Sequence, residues 1–229
     1  MRRPSAGDDY SEKRRRMVAQ QIAARGVRSR PVLDAMRAVP REAFVPANLQ
    51  EFAYDDSPLP IGDGQTISQP HVVALMIEAL DLKGGEKILE IGAGSGYAAA
   101  VLGQIASRVY TMERVGELAR GASSALKKLG YSNVEVRHGD GTQGWPEEAP
   151  FDAIIVAAGG RDVPEPLKKQ LAVGGRLVIP IGYCSHFQQL VRLTRLAEDR
   201  YEQKSLVPVR FVPLVSDGDD GDGRITDPP

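Results

Sequence analysis

The sequence predicts an α/β fold, with a doubly wound, mostly parallel sheet preceded by an N-terminal helical cap. From residue 71 onwards, short apolar segments alternate with longer amphipathic ones, which is typical of βαβ units and a parallel sheet covered on both faces. A glycine-rich loop follows one apolar segment and opens the next predicted helix. Residues 11–49, which precede this alternation, place apolar side chains at helical spacing.

Composition narrows the class of protein. The 229 residues are 42% hydrophobic and 26% charged, the balance of a soluble globular protein. A formal net charge of -1 disfavours a dedicated nucleic-acid binder, which would carry a basic excess. The apolar runs are far shorter than the roughly 20 residues of a membrane span, and the N-terminus lacks the apolar core of a signal peptide. The single cysteine, Cys184, predicts no internal disulfide, so we expect a cytoplasmic protein in a reducing setting.

Residues 11–49 are predicted to form two N-terminal helices. Ser11 is a candidate cap for the first helix, Gly26 is its candidate end, and Pro31 is a candidate start for the second. Residues 1–30 contain nine basic and three acidic side chains. Apolar residues at helical spacing beside them indicate the solvated face of a helix rather than a nucleic-acid arm.

Helices and strands alternate over residues 71–215, the predicted core. The predicted helices cover residues 71–80, 97–106, 115–129 and 164–171. The predicted strands cover residues 87–91, 108–113, 134–137, 152–157 and 175–181. Two final segments, 187–197 and 201–215, alternate apolar and polar residues without a helix between them, so we expect an antiparallel pair.

No repeat or linker divides the chain, so we expect one domain over residues 1–215, with its helical cap in residues 1–49. Residues 50–70 contain several Pro and Gly breakers and no clear period, which predicts a loop that is either functional or disordered. Residues 216–229 contain five Asp and one Arg among glycines, so they are predicted to be an acidic, disordered tail.

The glycine-rich loop reads E-I-G-A-G-S-G-Y over residues 90–97. Glycines let the backbone turn sharply and approach a ligand, and the next helix offers unpaired N–H groups. A dinucleotide site needs a third glycine where this chain has Tyr97. This difference disfavours NAD or FAD and favours S-adenosylmethionine, whose amino-acid end has no pyrophosphate. The candidate cofactor residues of the loop are Glu90, Gly92, Gly94, Ser95 and Gly96.

Two acidic residues end the next predicted strands. Glu113 lies 21 residues after Gly92, where a carboxylate accepts hydrogen bonds from ribose hydroxyls. Asp140, followed by Gly141, comes after the third strand and is a candidate acceptor for the adenine amino group. An Asp-Gly pair is also a common turn, which is the alternative interpretation. All three strand ends belong to the edge where open α/β sheets bind ligands.

Three segments resemble the protein-L-isoaspartate (D-aspartate) O-methyltransferase family. Residues 56–71 read D-S-P-L-P-I-G-D-G-Q-T-I-S-Q-P-H, and residues 139–154 read G-D-G-T-Q-G-W-P-E-E-A-P-F-D-A-I. Residues 209–215 read V-R-F-V-P-L-V. The resemblance covers about residues 11–215, and its most specific part is the loop that ends in T-I-S.

The resemblance implies the fold of a class I S-adenosylmethionine-dependent methyltransferase, a Rossmann-like seven-stranded sheet whose last strand runs antiparallel. It implies transfer of a methyl group from S-adenosylmethionine to the α-carboxyl of isoaspartyl residues in damaged proteins, with S-adenosylhomocysteine as the other product. The methyl ester then collapses to a succinimide, which starts repair. The expected partners are isoaspartyl proteins and peptides, without nucleic acid or membrane, and we expect a monomer.

The resemblance also assigns roles to the loop of residues 50–70. Ser68 aligns with the family's active-site serine. We expect it to orient the substrate carboxylate, because an anionic acceptor needs no strong base. The alternatives are a plain loop serine or a cap for the following helix. Gln65, Thr66 and Ile67 are expected to form part of the cofactor wall. His71 is either a substrate contact or a plain residue of the first helical turn.

One stretch departs from the family pattern. Where the family reads roughly T-A-A-P, this chain has Ala157, Ala158, Gly159 and Gly160. This edge helps to line the family's substrate pocket, so Ala158 and Gly159 are candidate substrate residues. The departure leaves open a related carboxyl methyltransferase that acts on aspartate of a dedicated peptide partner.

Two other classes of function remain as alternatives. A non-catalytic S-adenosylmethionine-binding interaction protein is disfavoured by the intact loop at Ser68, and a nicotinamide oxidoreductase is disfavoured by Tyr97. Three scattered histidines and one cysteine have no metal-ligand spacing, so no metal site is expected.

Overall fold

The computed structural model describes residues 6–182 and 188–218, with side chains from residue 9 onwards. These residues form a seven-stranded sheet with helices on both faces, together with a separate two-stranded hairpin. The α/β prediction is confirmed. The end of the predicted tail, residues 219–229, lies outside the described residues.

The N-terminal cap begins with helix α1, Ala6–Arg16, which continues directly into a π-helical turn, Met17–Ile22. A 3-10 turn follows and ends at Gly26, whose φ of 106° is left-handed, as expected for a glycine that ends a helix. Ser11 lies inside α1, so its prediction as a cap is wrong. The helix starts earlier than the sequence indicated because the polar residues before Ser11 also adopt helical backbone.

Helix α2, Arg30–Ala38, has Pro31 in its first turn, as predicted. Proline suits this position because the first N–H groups of a helix have no partner within the helix. Val32 and Met36 of α2 are buried and pack in the same cluster as the π-helical turn. The cap is therefore part of the main core.

A hairpin lies inside the predicted loop of residues 50–70. Strand β1, Leu59–Gly62, pairs antiparallel with strand β2, Gln65–Ile67. Asp63 and Gly64 connect them with φ values of 51° and 68°, and positive φ at both turn residues suits the twist of a two-residue hairpin. An Asp-Gly pair is typical of such a two-residue turn, so the disordered alternative for residues 50–70 is wrong at residues 59–67.

The remaining helices are α3 (Pro70–Ala79), α4 (Tyr97–Gly103), α5 (Gly116–Lys128) and α6 (Glu165–Gln170). The strands of the sheet are β3 (Lys87–Ile91), β4 (Arg108–Glu113), β5 (Val134–His138), β6 (Phe151–Val156), β7 (Leu171–Ile181), β8 (Gln188–Ala197) and β9 (Arg200–Val209). All seven predicted strands exist. The last one ends at Val209 rather than at residue 215.

The strand order is β5-β4-β3-β6-β7-β8-β9, with β3 to β7 parallel. β8 is antiparallel to β7, and β9 is antiparallel to β8. The strand that runs against the others is therefore β8, and the expectation that the last strand does so is wrong. Two successive antiparallel pairings reverse the chain twice, so β9 again runs with the parallel strands.

The sheet separates two hydrophobic clusters. Ile88 and Val109 face the cluster that includes the N-terminal cap, α3 and α4. Leu89 and Ile154 face the other cluster, which includes α6 and Trp145. The chain leaves β3 towards β4 and β5 and later returns to β6 on the other side of β3. Such a reversal of strand order opens a crevice at the carboxyl ends of the central strands, where open α/β sheets bind ligands.

Candidate active site

A cavity with about 960 Å³ of empty space, part of it open to solvent, lies at the carboxyl ends of β3, β4 and β6. One wall comes from β2 and the residue after it, and another comes from residues 212–215. Ten of the residues predicted for the site line the cavity: Gln65, Thr66, Ile67, Ser68, Gly92, Gly94, Ser95, Glu113, Gly141 and Ala158.

The glycine-rich loop forms the cavity floor. Gly92, Gly94 and Gly96 all have positive φ, so the backbone turns here as L side chains rarely allow. A Cβ at Gly96 would lie 3.3 Å from the Cβ of Ala122 on α5, so glycine also permits close packing of α5 against the loop. The hydroxyl of Ser95 is buried and has no hydrogen-bond partner among the described residues.

Glu113 ends β4 and is held in place by two main-chain donors. Its Oε2 accepts a hydrogen bond from the N–H of Gly94 at 2.8 Å, and its Oε1 accepts one from the N–H of Val115 at 2.9 Å. The carboxylate is 7% exposed and lines the cavity. Each oxygen keeps a lone pair beyond these bonds, so Glu113 has acceptor capacity for a ligand with hydroxyl groups.

Gly141 and Asp140 follow β5. A Cβ at Gly141 would lie 2.3 Å from Cγ2 of Ile91, so only glycine fits this part of the wall. Asp140 lies behind the lining, where its Oδ1 accepts bonds from the N–H and hydroxyl of Thr142 at 2.8 and 2.7 Å. Burial by itself raises the pKa of Asp140, but the bonds from Thr142 and Asp217 and the charge of Arg114 bring the pKa below its usual value.

Ser68 follows β2 and precedes α3. The N-terminal cap position of α3 is Gln69, and no side chain makes a cap hydrogen bond there. Ser68 is therefore not a helix cap, which was one of its two alternative roles. Its carbonyl oxygen accepts a hydrogen bond from Nη2 of the buried Arg41 at 2.9 Å. The serine thus joins the glycine-rich loop and Glu113 in one cavity, as predicted from distant parts of the sequence.

The cavity wall from the end of the chain is the C-terminal strap, which we define as residues 211–217. Its Phe211 N–H donates to Gln188 Oε1 at 2.8 Å, and the Gln188 amide donates back to the Phe211 carbonyl at 3.2 Å. Gly159 also binds the strap. Its N–H donates to the Val212 carbonyl and its carbonyl accepts from the Leu214 N–H, both at 2.8 Å. The strap is therefore fixed by main-chain atoms along its length.

Comparison with known proteins shows which family the chain resembles. The model of the family described as Protein-L-isoaspartate(D-aspartate) O-methyltransferase matches residues 12–219. A protein-L-isoaspartate O-methyltransferase 1 of Rhodopseudomonas palustris is 62% identical over 219 residues, which cover 94% of this chain and 89% of the relative. One of Pelobacter propionicus is 59% identical over 199 residues, which cover 87% and 88%.

The chain belongs to the protein-L-isoaspartate(D-aspartate) O-methyltransferase family.

Solved structures agree with this family. A protein-L-isoaspartate O-methyltransferase superposes with a TM-score of 0.79 at 31% identity, covering 87% of this chain and 65% of the other. A Plasmodium falciparum member in complex with S-adenosyl-L-homocysteine superposes with a TM-score of 0.76 at 29% identity, covering 88% and 98%. The Rossmann-like methyltransferase fold is thereby confirmed, and the chain is an S-adenosylmethionine-dependent methyltransferase.

The residues at the cavity fit this cofactor. Glu113 offers carboxylate lone pairs for ribose hydroxyls, and the unpartnered hydroxyl of Ser95 offers a donor and an acceptor for a polar group. The space beside Gly141 is filled by Ile91, which lines the same cavity, so this wall presents an apolar side chain to a flat ring. The described residues contain no cluster of His, Cys, Asp or Glu arranged to hold a metal ion. No helix among them has the length and apolar content to cross a membrane.

Five predicted site residues lie outside the cavity lining: Glu90, Gly96, Asp140, His71 and Gly159. Glu90 is fully buried within β3, where the hydroxyl of Thr111 donates to its Oε2. Its Oε1 has no partner among the described residues, and burial raises its pKa to about 8. Its carboxyl therefore lies in the core behind the glycine-rich loop, and a cofactor contact for it stays a prediction.

His71 lies in the first turn of α3, close to Arg25 and Asp56. Its Nε2 is buried and has no hydrogen-bond partner in the described part of the chain. Burial lowers its pKa, and the charge of Arg25 lowers it further. His71 thus keeps an unused polar atom near Ser68 without lining the cavity itself, and its role as a substrate contact stays a prediction.

Gly159 explains the departure from the family pattern. A Cβ at this position would lie 2.1 Å from Nε2 of Gln188, whose side chain is 1% exposed. The space beside Gly159 is therefore filled by the side chain of Gln188, so a glycine at this position is required by packing. The sequence alone could not show this, because Gly159 and Gln188 belong to different segments.

Sequence reasoning missed several lining residues. Arg114 and Val115 directly follow Glu113, so their position next to that residue was a usable signal. The strap contributes Val212, Pro213, Leu214 and Val215. The sequence resemblance marked this segment, but it was interpreted as the end of a strand.

Proposed function

We infer that this chain transfers a methyl group from S-adenosylmethionine to the α-carboxyl of isoaspartyl residues in damaged proteins, which starts their repair through a succinimide. The observation that carries this proposal is that Ser68 shares one cavity with the glycine-rich loop and Glu113. When bound, S-adenosylmethionine supplies a methyl group on a positively charged sulfur, which is a strong electrophile.

The residues of the cavity have distinct roles in this proposal. Glu113 accepts the ribose hydroxyls, and the Gly92 and Gly94 backbone together with Ser95 hold the amino-acid end. Gly141 borders the adenine, with Asp140 as the acceptor behind it. Gln65, Thr66 and Ile67 close the side opposite the loop. Glu90 and Gly96 support the loop from within the core.

The acceptor side of the cavity belongs to Ser68. Its hydroxyl donates a hydrogen bond to the substrate carboxylate and so directs the other carboxylate oxygen towards the methyl group. A carboxylate is already an anion at neutral pH, so orientation and exclusion of water provide the catalysis. We place Ala158, Gly159 and His71 on the substrate side of the same site. The neighbouring strap covers this side with main-chain and apolar atoms.

The alternative substrate, an aspartate on a dedicated peptide partner, was motivated by Gly159 and Gly160. Packing of Gln188 beside Gly159 accounts for the first of these glycines without a different substrate. Gly160 donates its N–H to the Pro180 carbonyl at 3.0 Å and accepts from the Gly182 N–H at 2.9 Å, which joins it to β7. Isoaspartate therefore remains the better-supported acceptor.

We further propose that the chain acts as a monomer in the cytoplasm, as a single domain that needs no nucleic acid. The near-neutral net charge of -1 supports a protein that needs no nucleic acid, and the single cysteine supports a reducing compartment. Light scattering coupled to size exclusion will show a mass near 24.8 kDa if the monomer is correct.

The function is tested with labelled S-adenosylmethionine and two matched peptides, one with isoaspartate and one with aspartate at the same position. We expect transfer to the isoaspartyl peptide alone. Ser68→Ala should lower transfer strongly, while the affinity for S-adenosylhomocysteine changes little. Transfer to neither peptide by a protein that binds S-adenosylhomocysteine would contradict the proposed substrate. Wild-type turnover in Ser68→Ala would contradict the proposed role of the serine.

A further inference from the structure

Arg41 is a fully buried arginine in the 3-10 turn that follows α2. Its Nε donates to the carbonyl oxygen of Ala53 at 2.7 Å, and its Nη2 donates to the carbonyl oxygen of Ser68 at 2.9 Å. Its guanidinium carbon lies 4.7 Å from the centre of the Tyr97 ring. Arg41 therefore joins the segment before the hairpin, the serine after it, and the first residue of α4.

The charge of Arg41 is not neutralised locally. Within the described residues, no carboxylate lies at ion-pair distance from Arg41, and its Nη1 has no hydrogen-bond partner. An arginine stays protonated in proteins, and a buried charge without a counter-ion is costly. Two carbonyl dipoles, a ring face and the more distant carboxylate of Asp56 stabilise the cation without forming an ion pair with it. A positive potential therefore remains in a region of low dielectric, where its field is strong.

The position of this charge matches the chemistry of the acceptor. The guanidinium is hydrogen-bonded to the main chain of Ser68, and Tyr97 under its other side lines the same cavity as Ser68. A neutral hydrogen-bond donor could hold the main chain of Ser68, and its burial would cost less desolvation free energy than the burial of a charged arginine. A substrate carboxylate at Ser68, by contrast, gains from a cation behind the serine.

We propose that Arg41 is a positioning residue for methyl transfer, which fixes the main chain at Ser68 and attracts the anionic acceptor by its unpaired charge. This inference rests on the proposed function, because it assumes a carboxylate acceptor at Ser68. Arg41 acts through Ser68 and through its field, without touching the reacting atoms. The same charge makes the site selective for a carboxylate over a neutral amide of the same shape.

The test compares two peptides that differ only in the isoaspartyl α-carboxyl, which is free in one and a carboxamide in the other. Binding of each is measured by calorimetry on full-length protein saturated with S-adenosylhomocysteine. We expect the wild type to prefer the carboxylate and Arg41→Met to lose roughly 10- to 100-fold of that preference. Arg41→Lys, which keeps the charge, should retain most of the preference. It should lower kcat, because one ammonium cannot span both carbonyls.

Arg14→Met is the matched control. Arg14 also belongs to the cap, where it pairs with Glu42 at 3.9 Å and donates to the hydroxyl of Tyr54 at 3.3 Å. We expect this variant to lose stability without changing the carboxylate preference. The affinity of Arg41→Met for S-adenosylhomocysteine should stay within about 3-fold of the wild type, because the proposed role lies on the acceptor side.

A folded Arg41→Met protein that keeps the wild-type preference would overturn the proposal. If Arg41→Met does not fold, Arg41→Gln decides, because its amide keeps hydrogen-bond donors but removes the charge. A reduced carboxylate preference in Arg41→Gln supports the role, and an unchanged preference refutes it. A wild type that binds S-adenosylhomocysteine but neither peptide would instead show that the proposed acceptor is wrong, which separates that failure from a failure of Arg41.

Discussion

The carboxylate of Glu113 holds the glycine-rich loop in place and also lines the cavity for the ligand. Its two oxygens accept hydrogen bonds from Gly94 and Val115 while the side chain borders the cavity. The loop and the helix after β4 are therefore tied to the group that is proposed to hold the ribose. Loss of this carboxylate should affect the shape of the site as well as a ligand contact.

Glu113→Gln should weaken S-adenosylhomocysteine binding by about 1.5–3 kcal/mol, because a charged acceptor for hydroxyl groups is replaced by a neutral one. The amide of glutamine can point its single oxygen at only one of the two main-chain donors. Titration calorimetry measures the loss. Glu117→Gln is the control, since Glu117 is exposed and pairs with Arg120 on α5. Equal affinities in Glu113→Gln and the wild type would show that another group holds the ribose.

Glu90 makes the stability of the protein depend on pH. Burial raises its pKa from 4.5 to about 8, so the folded chain holds a proton that the unfolded chain releases above its own lower pKa. The stability associated with this carboxyl is complete below about pH 4.5 and is lost as pH rises towards 8.

Glu90→Gln should remove this dependence, because glutamine is neutral throughout and still accepts the Thr111 hydrogen bond. Urea titrations at pH 5 and pH 8 give the free energy of unfolding of the variant and of the wild type. We expect the variant value minus the wild-type value to be larger at pH 8 than at pH 5. An identical difference at both pH values would mean that Glu90 titrates alike in the folded and unfolded chains.

The strap contains no helix or strand, only a bridge between Pro213 and Gly159, and its order comes from its partners. Gln188 binds both main-chain groups of Phe211, and Gly159 binds Val212 and Leu214. At its far end, the N–H of Asp217 donates to Asp140 at 3.2 Å, and its carboxylate pairs with Arg114 at 3.5 Å. The prediction of a tail disordered from residue 216 is therefore wrong at its start, because Asp217 finds partners beside the cavity.

Gly159→Ala should destabilise the protein by about 1–3 kcal/mol, because the new methyl group displaces Gln188 from its two hydrogen bonds to Phe211. Urea unfolding measures the cost. The double variant Gly159→Ala/Gln188→Ala should lose less than the sum of the two single variants, since the clash is gone. Gly121→Ala on α5 is the control, because a Cβ there meets nothing within 4 Å. Strict additivity in the double variant would exclude the contact as the cause.

For the molecule as a whole, the cavity predicts selective stabilisation by one class of ligand. S-adenosylhomocysteine at 100 times its Kd should stabilise the folded chain by about 2.7 kcal/mol. For a protein of this size, that corresponds to a rise in Tm of roughly 5–10 °C. NAD should cause no rise, because Tyr97 stands where a dinucleotide site needs its third glycine. A rise with NAD alone would contradict the fit of this cavity to S-adenosylhomocysteine. Differential scanning fluorimetry measures both.

The sequence predicted those parts of the molecule that depend on local periodicity. The strands of the sheet and the glycine-rich loop have strong short-range patterns, so both were located. The hairpin was missed because β1 and β2 are only four and three residues long, too short to show a period. The packing of Gln188 beside Gly159 and the contacts of Arg41 and Ser68 were out of reach, since they join residues that are distant along the chain.

The position of the strap has a consequence for synthesis on the ribosome. The cavity walls extend along the chain from Gln65 to Val215, so the last wall is made after nearly all of the described residues. Chains emerge N-terminal end first, and the part already emerged begins to fold while synthesis continues. The glycine-rich loop and Glu113 of a nascent chain are thus synthesised well before the strap that closes the pocket. We therefore expect S-adenosylmethionine to bind only after the strap has been synthesised, because the pocket lacks one wall until then.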